Sequence, residues 1–439
     1  MAFLPPVELK LMAPGLICVC ILMLAAPVGA QQPGASRVAA SPGVGAEAYY
    51  QWLSGCLDGI GGDLPAIIRS AEAAAAVYIE DGARIGALGD PALVGEFSGR
   101  AGGLGQTSRA RNIDRQGWRG VVLFFPRERT LADDLRKARG LRERGLMVIG
   151  FGGPAIEEAA REAGVKWSAF IANHAAPTDG LFPAEGGGMV VPTEATASIA
   201  ATWTWTGEFV AALTRLGKMP VLLQSIMVPG ASDRAGKYRN LKFHEGTPEK
   251  VEAGRLGREY LAELRRCLGA VHEHEMGKIR KVAEMATANV RSGKGVHVFA
   301  HGHALRYLIG VPHDPGLFHQ VNSGLFELKD DPGIAEGDLV FCVGYDRIFE
   351  GWYYRDGTTR MRAAGATMAW SMTDYNRDPE FGPAALPKDE IIVGQHWELG
   401  DAVVTVPGYD IKILPPSGVI ALAILRMTEA EMLAILGSE

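Results

Sequence analysis

Cysteine is scarce in this sequence, and the few cysteines stand far apart. The chain of 439 residues has five, of which two lie in the first 30 residues. The other three are Cys56, Cys267 and Cys342, and no Cys-x-x-Cys pair occurs. This spacing does not indicate a disulfide framework, which a chain of this size does not need for stability. We therefore expect buried thiols, with Cys342 in a core strand because its neighbours are apolar.

Positive charge is not in excess either, since the net charge is −6 and the pI is about 6.0. A nucleic-acid-binding protein needs a basic face to neutralise phosphates, so this balance argues against a nucleic-acid partner. The GxSxG elbow, the Walker phosphate loop and the GxGxxG dinucleotide loop are all absent from the sequence. We expect no cofactor.

The N-terminus carries one short apolar run over 13–26, after Lys10, followed by small residues at 28–30. A run of this length before such a site is typical of a secretory signal rather than a spanning helix. We therefore predict a signal peptide over 1–30 and a flexible linker over 31–45. The mature protein would be periplasmic or secreted, with no stable membrane insertion after the signal is removed. Retention of the segment as a membrane anchor is the alternative.

Beyond the linker, the same order of strands and helices occurs twice. In the first half we predict helices over 46–81, from 91, and over 130–144, 154–163 and 193–216, with strands at 84–88, 121–125, 146–150 and 167–171. In the second half we predict helices over 249–292, near 347–363 and over 417–436, with strands at 296–300, 339–343, 366–370, 391–393 and 402–405. Matching strands lie about 212 to 220 residues apart, which indicates a duplication.

Strands that alternate with helices predict an α/β fold with parallel, doubly wound sheets. We expect two such domains, over 46–230 and 231–439. In sheets of this kind the ligand crevice lies outside the carboxyl ends of the strands. Polar residues that follow strands or begin helices are therefore the candidates for the functional site.

Segments of both halves resemble SIS (sugar isomerase) domains, which bind phosphosugars. Three pairs of segments carry the resemblance: 82–104 with 293–308, 139–150 with 361–369, and 191–193 with 415–419. The resemblance implies two SIS-like three-layer αβα repeats and a sugar or sugar derivative as ligand, phosphorylated or not. It also implies aldose–ketose isomerase chemistry, if the chain is an enzyme. SIS domains commonly pair, which the two halves could satisfy within one chain or through a homodimer.

Both halves depart from the SIS pattern at the turn after the second strand. Phosphosugar-binding members usually carry Ser-x-Ser-Gly there, whereas this sequence reads Phe-Pro-Arg-Glu-Arg-Thr over 125–130 and Gly-Tyr-Asp-Arg over 344–347. Helix N-termini remain and favour anions. Arginines in these turns could bind a phosphate or carboxylate, or could be solvated charges at helix starts. The residues expected to bind ligand are Asp90, Arg127, Thr130, Thr193, Arg347 and Ser417.

An isomerase needs a base and an acid to move a proton between adjacent carbons. The candidates of suitable chemistry are His301, His303, Glu96 and Glu194. The turn His301-Gly302-His303 follows a predicted strand at the crevice of the second half, and we expect the site there. The histidine pair could instead simply cap this turn.

Two other functions stay open on the sequence alone. One is a non-catalytic sugar-binding or sensing protein that has lost the phosphate turn. The other is a metal-dependent hydrolase that uses the His301/His303 crevice, with His313 or His319 as a further ligand. No zinc-signature spacing is present, so we expect no metal. The long loop over 173–191, which contains His174 and Asp179, is predicted to be functional, for example as a lid over the ligand.

Overall fold

The computed structural model describes residues 43–108, 110–184, 187–324, 327–344, 357–373 and 382–438. The α-helices are α1 (Gly45–Gly62), α2 (Leu64–Tyr78), α3 (Pro91–Phe97), α4 (Ala110–Ile113), α5 (Leu131–Glu143), α6 (Pro154–Glu162), α7 (Glu194–Arg215), α8 (Ala231–Lys237), α9 (Arg255–His274), α10 (Met276–Arg291), α11 (Gly357–Ala363) and α12 (Ser417–Gly437). Short 3-10 helices span Glu128–Thr130, Leu305–Tyr307 and Pro383–Ala385.

The strands of the first half are β1 (Arg84–Gly89), β2 (Thr107–Ser108), β3 (Gly120–Phe125), β4 (Met147–Gly152), β5 (Ala169–Ala172), β6 (Phe182–Pro183) and β7 (Met189–Val190). Those of the second half are β8 (Val296–Ala300), β9 (His319–Gln320), β10 (Leu339–Val343), β11 (Thr367–Met372), β12 (Ile391–Gly394), β13 (Val404–Thr405) and β14 (Lys412–Ile413).

Two five-stranded sheets have the same strand order. The first runs β2-β1-β3-β4-β5 and the second β9-β8-β10-β11-β12. Every pair of neighbouring strands in both sheets is parallel. The order reverses direction after the first pair, which is the arrangement of a doubly wound sheet. The predicted α/β fold with two parallel sheets is confirmed.

The central strands show why these sequences form covered parallel sheets. All six residues of β3 are buried, as are all five of β10. Val121, Leu123 and Phe125 face the central core, whereas Val122 and Phe124 face an outer core. Because side chains alternate between the two faces of a strand, a continuous apolar run is required when helices cover both faces.

One apolar core lies between the two sheets. It contains buried residues of α1, α2, α7, α9, α10 and α12, and separate outer cores cover the other face of each sheet. Trp203 and Trp205 of α7 are completely buried in the central core, as their helical position predicts. Cys56, Cys267 and Cys342 are buried thiols, which agrees with the expectation. Among the described helices, none combines the length and apolar character that a membrane crossing requires.

A small antiparallel ribbon accompanies each large sheet. β6 pairs with β7 before α7, and β13 pairs with β14 before α12. The predicted strand at 402–405 is therefore part of a ribbon rather than of the parallel sheet. The predicted signal peptide, Arg347 and the first part of the helix near 347–363 lie outside the described residues. The boundary at 230/231 stays a prediction.

Candidate functional site

A crevice, here called the first crevice, opens at the carboxyl ends of the first sheet. Its volume is about 600 Å³, which is in the usual range for small-molecule sites. Residues that follow β1, β3, β4 and β5 line it, together with the start of α7 and residues 308–313 from the second half. Its ionisable lining residues are Asp90, Arg127, Glu128, Arg129, Asp179, Glu194 and His313.

Glu194, the first residue of α7, has the most strongly perturbed carboxyl group of this lining. Loss of hydration on burial, followed by the charge of Asp179, raises its pKa to about 8. Three donors partly oppose this rise: the Asn173 amide at 2.6 Å, the Ser198 hydroxyl at 3.2 Å and the Gly153 N–H at 3.1 Å. The carboxyl group can therefore give or take a proton near neutral pH, as a general acid or base must.

Asp179 fixes the start of α7 and so the position of Glu194. Its Oδ1 accepts hydrogen bonds from the Thr193 N–H at 2.8 Å, the Thr193 hydroxyl at 3.1 Å and the Glu194 N–H. Asp179 has a left-handed backbone with φ of 44°, an unusual conformation for a residue other than glycine. Burial raises the pKa of its carboxyl group despite these hydrogen bonds.

His313 brings a side chain of the second half into the first crevice. Its Nδ1 lies 2.8 Å from the Met189 carbonyl oxygen and its Nε2 lies 2.9 Å from Glu128 Oε2. Burial acts to lower its pKa, but these two acceptors outweigh burial and the net pKa is raised. Because both ring nitrogens face acceptors, the arrangement favours the imidazolium cation.

One set of side chains in the described part of the chain could hold a metal ion. Ligand atoms of Glu128, Asp179 and His313 all lie within 4.8 Å of one another. A nitrogen and two carboxylate oxygens suit zinc or a similar divalent ion, provided that His313 is neutral. The histidine contacts Glu128 directly, with Nε2 2.9 Å from Oε2, and this contact accounts for the geometry without a metal.

The predicted ligand-binding residues at the starts of α3 and α5 take part in local capping contacts. Asp90 accepts hydrogen bonds from the Ala92 N–H at 2.8 Å and the Leu93 N–H at 3.2 Å. The Arg127 guanidinium binds Asp134 through two nitrogens, at 2.9 and 2.6 Å. The Thr130 hydroxyl lies 3.3 Å from the same carboxylate. Asp90 and Arg127 face the first crevice.

The corresponding crevice of the second half, here called the second crevice, is almost filled. It is lined by Glu96, His301, His303 and Ser417, four of the residues predicted for the site. Its volume is about 10 Å³, enough for roughly one water molecule. No sugar fits in a space of this size without a rearrangement of the surrounding side chains.

Side chains from the first half fill the second crevice. The Arg100 guanidinium lies 2.8 Å from Asp401 Oδ2 and 3.3 Å from Glu96 Oε1, and it also contacts the Ser417 hydroxyl. Ser417 in turn donates to Asp401 Oδ2 at 3.0 Å. The predicted residues Glu96 and Ser417 thus belong to a buried network that ties α3 to the start of α12.

The two histidines of the predicted turn lie beside this network. His301 is 3% exposed. Burial, the charge of Arg100 and the charge of His301 lower the pKa of His303 to about 3. His303 is therefore neutral at physiological pH. The structure brings His301 and His303 together, and their catalytic role stays a prediction.

The two crevices are built on matching backbone positions. Three left-handed residues of the first half, His174, Asp179 and Val191, have φ of 59°, 44° and 64°. Their counterparts in the second half are His396, Asp401 and Leu414, with φ of 56°, 47° and 65°. The Val191 N–H donates to the His313 carbonyl, and the Leu414 N–H donates likewise to the Gly102 carbonyl. By this correspondence His313 in the first crevice matches Gly102 in the second.

Glu194 also has no acidic counterpart in the second crevice. Thr193 is the N-cap residue of α7 and Glu194 is the first residue of that helix, whereas Ser417-Gly418 stand at the corresponding place in α12. A Cβ atom on Gly418 would lie only 2.4 Å from Glu96 Oε1. The Glu96 side chain, which comes from the first half, therefore occupies the space that a side chain at position 418 would need. Only the first crevice therefore combines an open volume with Glu194 and His313.

The predicted site residues consequently divide between two places. Asp90, Arg127, Thr130, Thr193 and Glu194 lie at or beside the first crevice, and Glu96, His301, His303 and Ser417 at the second. No specific role was predicted for Asp179 from the sequence. His313 was expected only near the His301/His303 crevice of the second half. Alignment of the two halves could have singled out Asp179, because Asp179 and Asp401 stand at similar distances before the helix starts at Thr193 and Ser417.

Comparisons with known proteins give a limited result. No family model and no curated protein sequence matches the chain. Solved structures similar to it include a protein provisionally described as a phosphosugar isomerase from Silicibacter pomeroyi DSS-3, with 13% identity, a TM-score of 0.40 and coverage of 88% of this chain and 97% of that one. A second is the C-terminal domain of glucosamine-fructose-6-phosphate aminotransferase from Francisella tularensis, with 9% identity, a TM-score of 0.41 and coverage of 86% and 94%.

A third is a protein provisionally described as a sugar-binding protein from Salmonella typhimurium LT2, with 10% identity, a TM-score of 0.41 and coverage of 88% and 99%. At these identities and TM-scores the similarities bear on neither the substrate nor the activity of this chain.

Proposed function

We propose that the first crevice binds a sugar or sugar derivative and catalyses an aldose–ketose isomerisation. The observation that carries this proposal is Glu194, an acid whose pKa of about 8 places its proton transfer near physiological pH. The crevice volume of about 600 Å³ also leaves room for a sugar, whereas the second crevice does not. The resemblance of both halves to SIS domains is consistent with such a ligand.

The reaction assigns a separate task to each of two groups. The Glu194 carboxylate removes the proton from the carbon next to the carbonyl group, and an acid protonates the carbonyl oxygen. His313 lines the same crevice, and its raised pKa favours the protonated form that can donate. Glu194 then returns its proton to the former carbonyl carbon, and the hydroxyl group on the neighbouring carbon gives its proton back to His313, which restores the acid and completes the ketose. No net oxidation or added reactant is involved.

A direct test measures both binding and proton transfer. The mature protein is screened by thermal shift against glucose, mannose, fructose, ribose, glucosamine and their phosphates, and each stabilising sugar is then incubated in D₂O. We expect conversion to the ketose, with deuterium entering at the carbon next to the carbonyl group. Conversion should fall at least about 100-fold in Glu194→Gln, within the usual contribution of a general base.

The control is Glu157→Gln, which alters an exposed glutamate on α6 outside the first crevice. It should convert the sugar at the wild-type rate. If a sugar binds but is neither converted nor labelled, the protein is a sugar-binding or sensing protein without catalysis. If no sugar in the panel stabilises the protein, the proposed function is wrong.

We also propose that the protein acts outside the cytoplasm, as the signal peptide predicted for residues 1–30 implies. Fractionation of cells that express the full chain with a C-terminal tag tests this location. N-terminal sequencing of the exported form should give a start just after Ala30. An unprocessed chain in the cytoplasmic fraction would contradict the proposal.

A further inference from the structure

The ligand class of the first crevice follows from what occupies the helix starts around it. In a doubly wound sheet, phosphate groups usually bind where backbone N–H groups at helix N-termini point into the crevice. α3, α5, α6 and α7 all begin at the edge of the first crevice. A phosphosugar would need unoccupied N–H groups at one of these starts.

Carboxylates of the chain occupy the starts of α3 and α7. Asp90 accepts hydrogen bonds from two N–H groups of α3, and Asp179 accepts from the N–H groups of Thr193 and Glu194 at α7. An anionic ligand at either place would have to displace a carboxylate and would be repelled by it. These helix starts therefore already contain the negative charge that the helix dipole favours.

Carboxyl groups of the chain also bind one N–H group ahead of α5 and one ahead of α6. The Arg127 N–H donates to Asp134 Oδ2 at 2.9 Å, ahead of α5. The Gly153 N–H, ahead of α6, donates to Glu194 Oε2 at 3.1 Å. Pro154 is the first residue of α6 and has no N–H to offer.

The cations of the first crevice are largely engaged as well. Arg127 binds Asp134 through two nitrogens, and His313 pairs with Glu128. Arg129 is the third cation of the lining, and its side chain is exposed. The apolar lining includes Leu93, Ile156 and Met189, which suit the C–H faces of a sugar ring.

From these contacts we infer that the first crevice takes a sugar that carries no phosphate or carboxylate group. This inference rests on the proposed function. Carboxylates accept hydrogen bonds from sugar hydroxyl groups, and such bonds to a charged acceptor are stronger than neutral ones. The carboxyl groups of Asp90, Glu128 and Asp179 thus recognise hydroxyl groups in the places where a phosphosugar-binding protein holds phosphate.

The test compares each sugar with its own phosphate by isothermal titration calorimetry on the mature protein. We expect glucose, mannose, fructose or ribose to bind at least 10-fold more tightly than the matching phosphate, and inorganic phosphate to give no binding heat. Asp179→Asn should reduce this preference at least threefold, because it removes the repelling charge but keeps an acceptor at the start of α7. Asp90→Asn is the second variant, in case Asp179→Asn does not fold.

The matched control is Asp133→Asn, since Asp133 is an exposed carboxylate on α5 outside the lining. It should leave the preference unchanged. Tighter binding of the sugar phosphates would overturn the inference while leaving the proposed function intact. Loss of that tighter binding in Arg129→Gln would then place the phosphate at Arg129. Absence of binding by both forms of every sugar would instead contradict the proposed function and, with it, this inference.

Discussion

The charge state of Glu194 makes a prediction about stability that needs no ligand. Its pKa is about 8 in the folded protein, against 4.5 for an unperturbed glutamate. The folded state therefore holds this proton over a pH range in which the unfolded chain has lost it. Stability is greatest below pH 4.5 and is lost as the pH rises towards 8, because ionisation costs more in the folded state.

The size of this effect follows from the same two values. At about 1.36 kcal/mol for each pH unit, the gap between 4.5 and about 8 corresponds to at most about 5 kcal/mol. Water that enters the open crevice reduces the cost of ionisation, so we expect about 2 to 5 kcal/mol. The substitution Glu194→Gln removes the ionisation and with it this part of the pH dependence.

Urea denaturation followed by tryptophan fluorescence, at pH 5, 6, 7, 8 and 9, measures the difference. The contributions of titrating groups that do not interact with Glu194 cancel when the free energies of unfolding of the wild type and Glu194→Gln are subtracted at each pH. We expect the wild type to lose stability relative to the variant as the pH rises. In the variant the Gly153 N–H faces either the oxygen or the nitrogen of the glutamine amide. Loss of this hydrogen bond would change the stability difference between the two proteins by the same amount at every pH.

Glu157→Gln is again the control and should follow the wild type. Equal pH dependence in the wild type and Glu194→Gln would contradict the raised pKa of Glu194. It would mean that Glu194 ionises in the folded state as readily as in the unfolded chain, and that its carboxyl group is not the proton donor and acceptor of this crevice.

Three further substitutions test the parts of the structure around the two crevices. His303 has a pKa of about 3 in the folded state, below the unfolded value of 6.5. The wild type should therefore lose stability relative to His303→Gln as the pH falls below 6.5. The free energies of unfolding of both proteins at pH 7 and pH 4.5 measure this difference. Gly418→Ala should lower the free energy of unfolding by about 1 to 3 kcal/mol, because its Cβ would meet Glu96 in the second crevice; an unchanged urea midpoint would contradict the filled crevice. Arg426→Met should cost about 3 to 5 kcal/mol, because it leaves the buried Asp314 carboxylate without its cation. That loss should appear in thermal unfolding and be absent from the control Arg161→Met, because Arg161 and its partner Glu158 are both exposed.

Much of the fold could be predicted from local sequence pattern. The run at 120–125 forms β3 and the run at 339–343 forms β10, because strands covered on both faces need apolar residues at every position. The charged helix predicted over 130–144 is α5, observed at Leu131–Glu143. Most ends of the elements agree with the prediction to within three residues, whereas the helices predicted from 249 begin only at Arg255. Local hydrogen bonding rather than apolar pattern decides where elements begin and stop.

The site was harder to predict because its parts come from distant segments. Glu194 was a candidate from its position at a helix start, but its raised pKa depends on burial and on Asp179, which the sequence does not reveal. His313 reaches the first crevice only because the second half packs against the first. The sequence favoured a site at the His301-Gly302-His303 turn because each half was interpreted separately. Only the packing of the two halves brings Glu96 and Arg100 into the second crevice.

The class of fold, the repeated order of elements and the helix starts at which polar residues gather can be read from the amino-acid sequence, because periodicity and capping are local properties. Tertiary structure decided which of two similarly built crevices is open. The first retains Glu194 and receives His313, whereas the second has Gly418 and receives the side chains of Glu96 and Arg100. Volume and pKa both depend on which side chains meet across the molecule, and that is a property of packing rather than of any one segment.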